Sequence, residues 1–170
     1  MKGIVFDGEE LRVVEGLELR DPGPGEVIVR IANSGVCHSD VSVIDGTIPF
    51  PTPVVLGHEG AGIVEAVGPD VTSVTPGDHV LLAWRTNCGL CEMCQQGWPN
   101  LCLNAATDGQ RATLRDKGTP IHQLLRLGTF ATHAIVPEAA AVLIDRDIPF
   151  PQASLVGCGV MTGVGAVINT

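Results

Sequence analysis

Six cysteines and five histidines give this chain the means to hold a metal, and four of the cysteines stand close together. Cys88, Cys91, Cys94 and Cys102 are spaced CxxCxxCx7C. A thiolate tetrahedron around Zn²⁺ needs four sulfurs about 2.3 Å from one centre, and CxxC steps let a tight loop turn successive sulfurs inward. No Lys or Arg lies between them, so a bound cation must neutralise the thiolates. Two disulfides would instead require an oxidising compartment, and the chain opens with no secretion signal. Zinc is preferred to iron because four sulfurs close its shell in a structural site, although spacing does not separate the two metals. A closed shell keeps no open position, so this lobe organises the chain and does no chemistry.

Cys37 and Cys158 remain, each without a neighbouring cysteine. Alone, either is more often a small buried hydrophobe than a ligand, and a lone His58 is more often satisfied by a backbone carbonyl. Together, two thiolates and one imidazole around an open position form a catalytic zinc set. His79, His122 and His133 have no partner at ligand spacing.

The elements that must position these groups follow from composition and pattern. A length of 170 residues suits one domain, and 45% hydrophobic with 17% charged residues excludes disorder. The net charge of −9, with scattered basic residues, disfavours nucleic acid as a partner. The N-terminus lacks the apolar run of a signal peptide and no long uncharged apolar run follows, which predicts a cytoplasmic chain without a membrane partner. Twenty-one Gly, twelve Pro and few aromatics predict many short strands and tight turns. Strands are expected in EVIVRIA (Glu26–Ala32), on both sides of the Gly-rich bend holding His58 within Pro51–Val67, in Val74–Trp84, and in Ala131–Ile135 and Ala141–Ile144. Their spacing suggests a barrel or sandwich. A short helix is expected to open within Ser34–Asp40, Asn104–Gly128 reads as a polar exposed loop, and the segment after Pro149–Gln152 reads as helical turns broken by glycines and cut part-way.

GVCHSD (Gly35–Asp40), GHEGAGIVEAVGPDV (Gly57–Val71), the cysteine lobe and GCGVMTG (Gly157–Gly163) occur in the order found in zinc-dependent alcohol dehydrogenases of the medium-chain dehydrogenase/reductase superfamily, which the chain resembles over essentially its whole length. The resemblance implies a mostly β, GroES-like, partly open barrel with short helices over residues 1–155, with the zinc lobe at 88–102. Residues 156–170 would begin the connection to a Rossmann domain that binds NAD(P). The resemblance makes Cys37, His58 and Cys158 the ligands of a catalytic zinc, and Cys88, Cys91, Cys94 and Cys102 those of a structural one. It makes Glu59 an acid behind the metal and Asp40 the carboxylate that orients the ligand imidazole. Ser39 becomes the hydroxyl that accepts the substrate proton, His38 a contact to the cofactor pyrophosphate, and Thr162 a contact to nicotinamide. The implied reaction is reversible oxidation of a primary or aromatic alcohol to an aldehyde, in a homodimer or homotetramer.

The chain departs from that pattern in places. The relay histidine some members carry beyond the hydroxyl falls, by straight offset, at Ser42. A dinucleotide site needs GxGxxG between a strand and a helix, with an acid about twenty residues on. GCGVMTG is GxGxxxG and carries Cys158, so it is read as a decoy, and the chain as a fragment that holds zinc without turning over alone. Trp84 reads equally as a substrate-pocket wall and as an ordinary core residue. A thiol-adduct formaldehyde dehydrogenase is a narrower reading: where glutathione-using members have a basic anchor this chain has Ala106, and Arg111, Arg115 and Lys117 could serve another thiol, although a solvated loop face is preferred. A stand-alone zinc-stabilised binding module is the rival from outside enzymology.

Overall fold

The structure, a computed structural model, describes residues 1–104 and 114–169. It opens with a hairpin, β1 (Lys2–Phe6) and β2 (Leu11–Glu15), paired antiparallel. Asp-Gly at the turn is a strong local hairpin signal. The Asp7 carboxylate caps the turn by accepting the N–H groups of Glu9 and Glu10, both at 2.9 Å. There follow β3 (Glu18–Leu19), β4 (Glu26–Gly35), helix α1 (His38–Ile44), β5 (Val54–Val55), β6 (Glu59–Val67) and β7 (His79–Leu82). Beyond a single-turn helix α2 (Glu92–Gln95) come β8 (Leu114–Asp116), β9 (Thr119–Gln123), β10 (His133–Pro137) and β11 (Ala141–Leu143).

The strands form two curled sheets, β2-β1-β5-β9-β8-β3 and β10-β4-β6-β7-β11. This is the mostly β, GroES-like barrel that the resemblance implies. In the five-stranded sheet the register between β4 and β6 slips at Ile28/Val29 and Ile31/Asn33, and such irregularities bend a strand pair. Alternation along β4 sends Val27 and Val29 inward, where they meet Val64, Val80, Leu82 and Val136. Each such side chain contributes about 1.5–3 kcal/mol when fully buried. The second sheet closes over Val5, Leu17, Val55, Leu114 and Ile121. At the entry to β4, buried Glu26 is held by both Arg20 guanidinium nitrogens, at 2.6 and 2.8 Å, and by the Gly23 N–H at 2.7 Å.

Two expectations need correction. The segment expected as an exposed loop, Asn104–Gly128, contains β8 and β9 and the wholly buried Leu114, Ile121, Leu124 and Leu127. Its apolar residues are few, but alternation with Arg115 and His122 puts Leu114 and Ile121 on the inner face. Ala106 and Arg111 lie outside the described residues; Arg115 and Lys117 sit on and just after β8. The C-terminal glycines do not break the helix. Helix α3 (Phe150–Leu155) runs through a π-helical turn (Val156–Val160) into α4 (Met161–Asn169). Taken together, Phe150–Asn169 is long and apolar enough by length and composition to cross a membrane, with 22% of that window buried. Its first turns pack on β4 and β6.

Candidate metal centres

Three places in the fold deliver the first cluster. Cys37 is the residue before α1, His58 immediately precedes β6 and Glu59 opens it, and Cys158 is the middle residue of the π-helical turn. One donor atom from each lies within 4.8 Å of all the others. The sulfurs of Cys37 and Cys158 are 4.0 Å apart. For Zn–S bonds of about 2.3 Å, a tetrahedral edge is about 3.8 Å, so this separation fits one shared ion and not a disulfide. An extra residue in a helical turn rotates the side chains after it, and such turns recur at functional sites. Here the turn rests on Gly157, where a Cβ would fall 2.1 Å from the Leu82 carbonyl oxygen, so glycine lets the helix approach the end of β7.

Asp40 organises the cluster from below. It is only 1% exposed, yet one carboxylate oxygen accepts the Cys37 N–H at 3.0 Å and the other the Gly57 N–H at 2.8 Å. The latter oxygen also stands 3.3 Å from Nδ1 of His58, which is buried and makes no formed hydrogen bond. A small ring rotation joins the two and leaves Nε2 for a metal. Gly57 has φ +88°, and a Cβ there would fall 2.5 Å from Phe130 and Thr129 atoms. Only glycine turns this corner and sets His58 inward.

The electrostatics suit a dication. Burial disfavours the Cys37 thiolate, but the Ser39 N–H and hydroxyl and the adjacent His58 outweigh it, holding the thiol below its ordinary range. Burial likewise disfavours a charged His58, and Asp40 and then Cys37 more than offset it, so the imidazole sits above its usual value. Asp40 is also penalised by burial, yet His58 and the two N–H donors keep it below the carboxylate range. Cys158 is pushed up to about 12 by burial and by facing Cys37 and Glu59. Two thiols and a buried carboxylate therefore converge where protein groups alone stabilise only one thiolate. A Zn²⁺ ion would supply the missing charge, and the donor set fits it.

The second cluster is the lobe, where one sulfur each from Cys88, Cys91, Cys94 and Cys102 lies within 4.8 Å of the others. The Cys91 sulfur is 3.5 Å from that of Cys94 and 3.8 Å from that of Cys102. These are again tetrahedral edges and not S–S bonds. Backbone N–H groups help where cationic side chains are missing: Leu90 and Cys91 donate to the Cys88 sulfur at 3.4 and 3.3 Å, lowering it to about 6. Cys94 is pushed the other way, to about 11, first by burial and then by the Cys91 and Cys102 thiols. Opposed directions within one cluster are what like groups crowded together produce, and a cation among the sulfurs would relieve that crowding.

Of the remaining site residues, Ser39 places its hydroxyl 3.7 Å from the Cys37 sulfur. His38 and Thr162 are exposed, at the first position of α1 and the second of α4, and His38 is outside the donor cluster. Trp84 packs against the core of the five-stranded sheet with its Nε1 buried and unpartnered. His79 stacks at 4.7 Å on Phe150, while His133 meets Glu65 at 3.1 Å. Sequence reasoning missed Ser34 and Thr129, whose hydroxyls meet at 2.7 Å beside the His58 corner.

The model of the alcohol dehydrogenase GroES-like domain matches residues 23–146. The S-(hydroxymethyl)glutathione dehydrogenase of Paracoccus denitrificans is 43% identical over 96% of this chain and 46% of its own length. The solved alcohol dehydrogenase zinc-binding domain protein of Burkholderia ambifaria superposes with a TM-score of 0.89 at 38% identity, covering 99% of this chain and 48% of that one. The benzyl alcohol dehydrogenase of Acinetobacter calcoaceticus gives 0.84 at 35%, covering 99% and 47%. The chain thus spans about half the length of the relatives it matches. With the family model matching well over half of its residues, the chain belongs to the alcohol dehydrogenase GroES-like domain family of the medium-chain dehydrogenase/reductase superfamily.

Proposed function

We propose that this chain is the zinc-bearing part of a cytoplasmic enzyme that reversibly oxidises primary or aromatic alcohols to aldehydes, passing hydride to NAD(P). The observation that carries this reading is the convergence of Cys37, His58 and Cys158 donor atoms from three separate parts of the chain, with Glu59 beside them. The relatives' names support it, one acting on benzyl alcohol. Residues 1–155 would form the catalytic unit and 156–170 lead into a nucleotide-binding half. Homodimers or homotetramers are proposed for the complete enzyme.

Cys37, His58 and Cys158 would hold the catalytic ion, and the four lobe cysteines a structural one. Zinc so held supplies Lewis-acid polarisation of a hydroxyl oxygen, easing loss of its proton near neutral pH. The Ser39 hydroxyl would accept that proton while passing its own outward, so that no further charge is left beside the cluster. Asp40 fixes the imidazole plane and tautomer by facing Nδ1. Glu59, buried behind the sulfurs, is held in reserve as a fourth donor. His38 and Thr162, both exposed, are the chain's contributions to the cofactor pyrophosphate and nicotinamide. Partly buried Trp84 would border the alcohol.

Metal counting on purified protein is the test. Two zinc ions per chain, one lost selectively in Cys37→Ala or His58→Ala, supports the enzyme; a single ion confined to the lobe supports a stand-alone zinc-stabilised binding module instead. A second enzymatic reading, oxidation of a thiol adduct of formaldehyde, is favoured by the Paracoccus relative. Comparing free alcohol with the adduct on the polypeptide that includes the nucleotide-binding half separates the two.

A further inference from the structure

The corner that presents His58 is gripped from two directions by residues remote in sequence. On one side the Thr129 N–H donates to the Gly57 carbonyl at 3.0 Å and the Phe130 N–H to that of Leu56 at 3.0 Å. The Thr129 side chain, 2% exposed, fills the space over both glycines that flank the His58-Glu59 dipeptide. A Cβ on Gly57 would lie 2.5 Å from Thr129 Oγ1, and one on Gly60 would lie 2.5 Å from its Cγ2. On the other side, β4 pairs Ser34 with Gly60 and Gly35 with Glu59. The Ser34 and Thr129 hydroxyls close the clamp with a hydrogen bond of 2.7 Å, across 95 residues of sequence.

The segment delivering Thr129 is itself braced. Leu125 and Arg126 hold φ of 51° and 64°, uncommon for residues other than glycine. Such turns persist only when their surroundings over-determine them. Buried Gln123 supplies the brace by donating to the Leu127 carbonyl at 2.9 Å.

We infer that Thr129, locked by Ser34, is a positioning residue that sets the height and orientation of the His58 imidazole against the Cys37 and Cys158 sulfurs, and so tunes the affinity and geometry of that centre. The inference rests on reading the cluster as a metal centre. It goes further in assigning control of the imidazole to a hydroxyl pair outside the donor set. Asp40 anchors the corner at the Gly57 N–H, whereas Thr129 anchors it at the Gly57 carbonyl, so the two peptide groups on either side of the Gly57 Cα are both held.

The test uses Thr129→Val, which keeps the shape and removes the hydroxyl, and Thr129→Ser, which keeps the hydroxyl. Zinc affinity is measured by competition with a chromophoric chelator, and Co²⁺ loading gives the visible ligand-field spectrum of each site. The lobe, whose ligands Thr129 does not support, is the internal reference. Thr129→Val is expected to weaken the three-donor site about tenfold or more and to shift its Co²⁺ bands, as changes behind metal ligands do. The lobe ion should be retained and Thr129→Ser should stay close to the parent. Equal affinity and an unchanged spectrum in Thr129→Val would overturn the inference. Failure of the parent itself to bind a second ion would instead overturn the metal-centre reading. Should Thr129→Val not fold, Ser34→Ala removes the same hydrogen bond from β4, and unchanged affinity there overturns the inference equally.

Discussion

Asp40 accepts the Gly57 N–H at 2.8 Å, tying the first turn of α1 to the residue before His58. With its other oxygen on the Cys37 N–H, one buried carboxylate fixes the backbone beside two donor residues that are distant in sequence. Asp40→Asn keeps the shape but presents an NH₂ group to one of those N–H donors. We expect ten- to hundredfold weaker zinc retention at the three-donor site. Stability should fall by about 1.5–3 kcal/mol for a charged hydrogen bond lost in the interior. Chelator competition and thermal melts measure both.

Gly157 sets the distance between the π-helical turn and β7. A methyl group there meets the Leu82 carbonyl oxygen, so Gly157→Ala must push the helix outward and Cys158 with it. Overpacking of this kind costs about 1–3 kcal/mol. The expected outcome is a lowered melting temperature together with loss of one zinc from the three-donor cluster. Two tightly held zinc ions in this variant would show that the turn tolerates displacement.

The lobe's ion should come and go separately. Cys91→Ser removes the sulfur that lies 3.5 Å from Cys94 and 3.8 Å from Cys102. Elemental analysis is expected to show loss of one ion only, with the far-ultraviolet signature of the two sheets unchanged, because the lobe's cysteines are ordered mainly by one another. Loss of both ions would contradict this independence.

Glu138 offers a pH-dependent test remote from either cluster. Its carboxylate accepts the Thr72 and Ser73 N–H groups at 2.7 and 2.6 Å, and these bonds hold it below its ordinary value of 4.5. A depressed folded-state value adds stability at pH above the unfolded one and loses it as pH falls through the folded one. Glu138→Gln should therefore melt a few degrees lower than the parent at pH 7, and the gap should close as pH drops below 4.5. A gap that is constant across that range would remove the carboxylate from the account. Calorimetry from pH 7 downward reads it directly.

Legibility in the sequence followed how local each signal was. The lobe's ligands share one short loop, so their spacing alone announced a metal. The strands Glu26–Gly35 and Glu59–Val67 were visible through β-branched alternation. The opening hairpin is marked locally only by Asp7-Gly8 between two short strands, the second of them largely exposed. β8 and β9 read as a loop because their two buried apolar residues, Leu114 and Ile121, stand among charged and polar neighbours. Nothing local marks the Ser34–Thr129 clamp, since two hydroxyl residues far apart in sequence have no common pattern.

The sequence by itself determined the chemistry of the donors: four closely spaced thiols, a histidine between glycines, and two further thiols each beside a small or polar neighbour. It determined, too, that glycine would occupy the corner before His58 and the turn around Cys158. Only the tertiary structure decided that Cys37, His58 and Cys158 meet. Side-chain type and spacing set what a segment can hold, but the distance between segments depends on sheet pairing, on the approach of helix to strand, and on the buried Asp40 and Thr129 contacts that hold the corner between them.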